Sequence, residues 1–133
     1  MNRVFADTSF YVALTHAGDD LHAAAVAFAH TYRGEIVTTD YVLVELRHWF
    51  AHNGRRDQYI QVANTIRTDA RTAIVPADGA LLAEGANLCA SHPDQNWTLT
   101  DCISFVIMKR YGIGHALTPS PSYHQAGFTA LLA

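Results

Sequence analysis

Three carboxylates far apart in the chain, Asp7, Glu45 and Asp101, occupy positions where an α/β fold gathers its chemistry. Asp7 stops the apolar run Val4-Phe5-Ala6. Glu45 sits early in a helical segment and borders an apolar face made by Tyr41, Val42 and Trp49. Asp101 closes Thr98-Leu99-Thr100-Asp101, a capping-box pattern. Carboxylates brought together repel and resist joint ionisation unless a cation neutralises them. All-oxygen ligation suits hard ions such as magnesium or manganese. Such an ion lowers the pKa of bound water and polarises a phosphate, so the matching chemistry is metal-assisted phosphodiester hydrolysis. Each acid also has a plain structural role: a turn after a strand, a solvated helix residue, a helix cap. Convergence of all three is what separates the two readings.

The surrounding pattern predicts that convergence. Val4-Phe5-Ala6 reads as a first buried strand, Glu35 to Thr39 as a second, Thr72 to Pro76 as a third, His115 to Thr118 as a fourth and Phe128 to Leu132 as a fifth. A helix is expected from about Asp20 to Arg33, capped by Asp19 or Asp20. Others follow from Asp40, as cap, to His52, from Arg56 to Thr68, from the cap Asp78 to Ser91, and from Asp101 to Tyr111. Tyr59, Ile60, Ala63 and Ile66 are expected to face inward. Ser91 to Trp97 and Pro119 to Ser122 read as loops. Alternation of strands and helices means a mostly parallel sheet covered on both faces, with right-handed crossovers. Ligands bind such sheets beyond the carboxyl ends of the strands, where the strand order reverses. Asp7 follows a strand at that edge, and the helices carrying Glu45 and Asp101 begin there.

Composition narrows the class. A chain of 133 residues, half of them hydrophobic and only 16% charged, forms one domain over residues 1–133 with its own core. A net charge of −3 argues against a globally basic nucleic-acid binder, although an acidic metal site masks local basic patches in the sum. Arg47, Arg55, Arg56, Lys109 and Arg110 are candidates for phosphate contacts, each weighed against an ordinary solvated surface role. Cys89 and Cys102 fall on separate helices and form no CxxC pair, so free thiols in a reducing cytoplasm are expected. No leader or membrane span is legible, so a cytoplasmic location off the membrane is expected.

Four stretches carry a resemblance. They are Val4-Phe5-Ala6-Asp7-Thr8-Ser9, Val37 through Glu45, Leu99-Thr100-Asp101-Cys102-Ile103-Ser104-Phe105, and Ala116-Leu117-Thr118 with Gln125-Ala126-Gly127-Phe128. In that order the chain resembles the PIN-domain family, specifically the VapC-type toxins. The resemblance implies a three-layer α/β/α fold with strand order 3-2-1-4-5. It implies a magnesium- or manganese-dependent endoribonuclease, the toxin of a type II toxin–antitoxin pair. It also implies a homodimer and a cognate antitoxin that occludes the acidic groove. The family's first three acidic positions carry over onto Asp7, Glu45 and Asp101, as catalytic residues and metal ligands.

One departure stands out. The family places a further Asp two residues beyond the Thr that follows the fourth strand, and here that position is Ser120. A serine hydroxyl can contact a metal-bound water but supplies no negative charge. This leaves a second reading: a PIN-like RNA-binding or partner-binding module with weakened catalysis. His48 and His52, at i and i+4, could meet one zinc ion but lack a third ligand and the intervening Glu of HExxH. The chain contains neither a glycine-rich phosphate loop nor a nucleophile elbow.

Overall fold

The computed structural model describes residues 1–133. Apolar runs bounded by turn residues form five strands: β1 (Arg3–Ala6), β2 (Glu35–Thr39), β3 (Thr72–Val75), β4 (His115–Leu117) and β5 (Thr129–Ala130). All pairings are parallel, in the order β3-β2-β1-β4-β5. β1 is central, with Phe5 opposite Val37 of β2 on one side and Ala116 of β4 on the other. Val4, Phe5 and Ala6 are fully buried, as a strand covered on both faces requires. Chain order runs outward from β1 to β3 on one side, then resumes at β4 on the other. The reversal therefore lies between β1 and β4.

The helices are α1 (Thr8–Thr15), α2 (His22–Thr31), α3 (Asp40–His52), α4 (Tyr59–Thr68), α5 (Gly79–Ala90), α6 (Leu99–Tyr111) and α7 (Pro121–Gln125). Right-handed crossovers put α1 to α4 on one face of the sheet and α5 to α7 on the other. The pairs α1 with α2, α3 with α4, and α5 with α6 pack together, and α3 also meets α6. The core joins Phe5, Phe10, Phe50, Phe105 and Tyr123 with aliphatic side chains from both layers. No helix is long and apolar enough to cross a membrane.

Several expectations need correction. The segment after Asp7, for which the sequence pattern shows no element, is α1, in which Phe10, Tyr11, Val12 and Ala13 are all buried. A helix enclosed on most sides shows no amphipathic period, so its pattern was silent. The next helix begins at His22, and Asp19 serves the turn before it by accepting a hydrogen bond from the Leu21 amide at 2.8 Å. Thr39, not Asp40, caps α3 through the Val42 amide, while Asp40 ties the loop after β3 by accepting from Ala77 N at 2.9 Å. Arg56–Gln58 forms a 3-10 turn ahead of α4, and Ile60 is 61% exposed rather than inward.

The run after β4 is also helical: Ser120 caps α7 by accepting from the Ser122 amide, and Pro121 occupies the first helical position. Proline is favoured there because its missing N–H has no intrahelical role. The cysteines are not free thiols: Cys89 and Cys102 form a disulfide, with Cα atoms 6.0 Å apart. Close packing of α5 on α6 brings them together. Gly85 makes that approach possible, since a Cβ there would overlap Ile103.

Candidate active site

Asp7, Glu45 and Asp101 line one cleft of about 400 Å3, together with Thr8, Ser9 and Trp49. The elements explain the convergence. Asp7 follows β1 and is the N-cap residue of α1. Glu45 lies in the second turn of α3, whose start is set by the cap Thr39 at the end of β2. Asp101 is the third residue of α6, and its backbone and side chain both engage Thr98 in a capping box. The cap role anticipated for Asp101 and its place in the cleft therefore coexist.

Hydroxyl groups hold the acids. Ser9 Oγ and Thr118 Oγ1 each donate to Asp7 Oδ2 at 2.9 Å. Thr8 Oγ1 donates to Glu45 Oε1. Ser120 N donates to Thr118 Oγ1 at 3.1 Å, so the loop after β4 braces the group that braces Asp7. Asp7 is 6% exposed, and hydrogen bonds from neutral donors are what make a buried carboxylate tolerable.

Burial pushes the Asp101 carboxyl up to about 6, and the negative charges of Asp7 and Glu45 add to the rise against the opposing hydrogen bonds from Thr98. The three acids thus feel one another. Their donor set is hard oxygen, and full ionisation calls for a compensating cation. The side chains form no closed cage of three or more acidic, histidine or cysteine ligands. A magnesium-type ion does not need one, because it keeps several waters and takes one or two carboxylates alongside substrate phosphate. The residues present fit such an ion.

Sequence reasoning passed over four contributors: Thr8, Ser9, Thr118 and Asp19. The first three lie in stretches that carried the family resemblance, yet no pattern reveals which hydroxyl turns toward which acid. Asp19, placed beside a helix start, also lines the cleft and adds a fourth carboxylate to it. The basic candidates fare differently. Arg47 lies 5.9 Å over the Tyr59 ring, and Arg110 pairs with Glu84 at 2.7 Å. Lys109 and Arg110 belong to the last turn of α6, about 12 Å along its axis from Asp101. Arg55 donates to His16 Nδ1 at 2.7 Å. None of the eleven cleft-lining residues is Lys or Arg.

A larger, mostly apolar groove of about 600 Å3 lies elsewhere, among Phe10, Tyr11, Leu14, Tyr32, Val62 and Ile66. It holds none of the three acids.

A parallel sheet in the order 3-2-1-4-5 with acids gathered at its switch point defines a class, and the PIN domain model matches residues 4–118. The chain belongs to the PIN domain family. Among curated relatives it is 30% identical over 128 residues to the 23S rRNA-specific endonuclease VapC20 of Mycobacterium tuberculosis, across 94% of this chain and 95% of that protein. The crystal structure of VapC20, described as a Sarcin-Ricin loop cleaving toxin, superposes with a TM-score of 0.88 at 23% identity, covering 96% of this chain and 98% of that one. VapBC2 from Rickettsia felis, bound to a promoter DNA fragment, superposes with a TM-score of 0.67 at 11% identity over 96% of both chains. FitAcB from Neisseria gonorrhoeae gives 0.64 at 14% identity, over 96% of this chain and 94% of that one. At those identities the superpositions speak for the fold.

Proposed function

We propose that this protein is a metal-dependent endoribonuclease and the toxin of a type II toxin–antitoxin pair. One observation carries the reading: three carboxylates from β1's end, α3 and α6 line a single cleft at the switch point of a PIN sheet, and two of them raise the pKa of the third. Membership of the PIN family and the 30% identity to a 23S rRNA-specific endonuclease support RNA as the substrate.

Asp7, Glu45 and Asp101 would hold Mg2+ or Mn2+, whereas Ser120, whose hydroxyl caps α7, is not among the residues that line the cleft. Such an ion would supply Lewis-acid polarisation of a phosphate oxygen and a lowered pKa for water at the site. The chain's own residues prepare the ground. Ser9 and Thr118 fix Asp7 in orientation and saturate Oδ2. Thr8 fixes Glu45. Asp101, with its carboxyl raised to about 6 by burial and by the charges of Asp7 and Glu45, loses its proton just on the acid side of neutrality, and a bound cation would favour that ionised form further. A homodimer, a cognate antitoxin covering the acidic cleft and a cytoplasmic setting complete the proposal.

Incubating ribosomal RNA with the protein and manganese or magnesium tests it, with Asp7→Asn alongside. Metal-dependent cleavage by the wild type and its loss in Asp7→Asn are expected. Equal cleavage by both rejects the site. A second reading, an RNA-binding or partner-binding module with weakened catalysis, is motivated by Ser120 standing where the family has a fourth acid. Metal-independent RNA binding with no cleavage by the wild type selects it.

A further inference from the structure

Resting on the ribonuclease reading and deepening it, we propose that Trp49 is a stacking platform for a nucleobase beside the scissile phosphate. Trp49 lies four residues after Glu45 on α3, so the two share a helix face. Trp49 is partly buried, packs against the core and lines the acidic cleft. The ring is braced on its protein side: it meets the fully buried Phe50 edge-on, with centroids 5.2 Å apart and planes at 89°. His16 lies beside it at 5.6 Å.

Arg55 holds His16 in turn, donating from Nη1 to Nδ1 at 2.7 Å. Accepting that hydrogen leaves the imidazole's own proton on Nε2. The result is a rigid aromatic pair backed by a cation, next to the carboxylates. The cleft walls contain no Lys or Arg, so they give a polyanion no charge-based grip of their own. Stacking needs no such charge, because every base offers a π-face, and an aromatic platform is how single-stranded or splayed-out RNA is held. A ring one helical turn from Glu45 sits within reach of a base whose phosphate occupies the acid site.

The test couples protein and RNA changes. A short single-stranded oligoribonucleotide is scanned with one abasic site at each position. Binding is measured in calcium and cleavage in manganese, for wild type, Trp49→Leu and Trp49→Phe, with folding checked by circular dichroism. One abasic position should weaken wild-type binding by about tenfold, as loss of a base–aromatic stack does. The same position should cost Trp49→Leu little, because the stack is already gone. Trp49→Leu should raise KM by a similar factor while changing kcat much less, and Trp49→Phe should retain most of the affinity. Tryptophan fluorescence should be quenched by intact RNA in the wild type and not by way of Trp97 in Trp49→Leu.

Equal abasic penalties in wild type and Trp49→Leu overturn the proposal, as does unchanged RNA affinity in Trp49→Leu. If those results come with cleavage that Asp7→Asn abolishes, the nuclease reading survives without the platform. Coupling at one position without any cleavage upholds the platform while the nuclease reading fails. A wild type that binds no RNA overturns both.

Discussion

Thr118 donates a 2.9 Å hydrogen bond to Asp7 across the β1–β4 junction, although 111 positions separate the two in the chain. The bond spans the switch point of the sheet and is buried. It makes the ends of two strands a single unit, with a carboxylate on one side and its orienting hydroxyl on the other. Thr118→Val keeps the shape and removes the donor. A bond to a charged group lost in this way costs about 2 kcal/mol. Urea denaturation should show that loss, and the variant should also bind manganese more weakly by calorimetry. Stability and affinity both unchanged would mean that Ser9 alone orients Asp7.

The charge of Asp101 sets a pH dependence. Its carboxyl is raised from 3.8 to about 6 by burial first and by Asp7 and Glu45 next. Between those values the folded state binds more protons than the unfolded chain, so stability falls as pH rises through the window. Relative to Asp101→Asn, the metal-free wild type should lose thermal stability between about pH 4 and pH 6. Manganese should restore it at neutral pH, and its affinity should drop about tenfold per unit well below the carboxyl's pKa. Parallel melting curves for both proteins across that range would contradict the assignment.

Asp19 already lines the cleft, whereas the Ser120 hydroxyl caps α7. Asp19→Asn should lower manganese affinity by about tenfold, the usual cost of losing a supporting group near a metal. Ser120→Asp should raise affinity and cleavage together, and the fold should persist because aspartate caps helices as well as serine does. Calorimetry and cleavage rates measured on the same samples decide. No gain in Ser120→Asp with the fold intact would show that this position does not face the ion.

Tyr123 is fully buried, and its hydroxyl lacks a hydrogen-bond partner although Asp7 and Ser104 are close enough to influence it. Burial and the nearby charge of Asp7 hold the phenol well above its usual range. Removing an unsatisfied hydroxyl is close to neutral, so Tyr123→Phe should change stability by less than about 1 kcal/mol, in either direction. A larger loss in chemical denaturation would reveal a bond from Tyr123 to Asp7 or Ser104.

The Cys89–Cys102 bridge closes the segment between α5 and α6, with a sequence separation of 13. Closing a loop of that size stabilises by about 3 kcal/mol in the chain-entropy model. Reductant should therefore lower the melting temperature of the wild type, and the double variant Cys89→Ser with Cys102→Ser should melt at the reduced value without further change. A melting temperature indifferent to reductant would mean that the thiols are unpaired in solution.

By itself the sequence determined the five strands, most of the helices and the three acids of the cleft. These rest on local signals: apolar runs, caps such as Asp78 and Thr98, and the position of an acid at a strand's end. Tertiary structure alone decided the rest. Helix α1 is buried on most sides and so carries no amphipathic period, and α7 hides behind a proline that is equally at home in a loop. The pairing of Cys89 with Cys102 depends on how closely α5 lies on α6, which Gly85 permits but does not announce. Asp19 looks like a helix-start residue from its neighbours and enters the cleft only because α1 folds back from β1. The hydroxyls of Thr8, Ser9 and Thr118 find their carboxylates through strand register and helix placement. Such contacts join residues distant in sequence, and no local propensity encodes a distance that only the packed sheet creates.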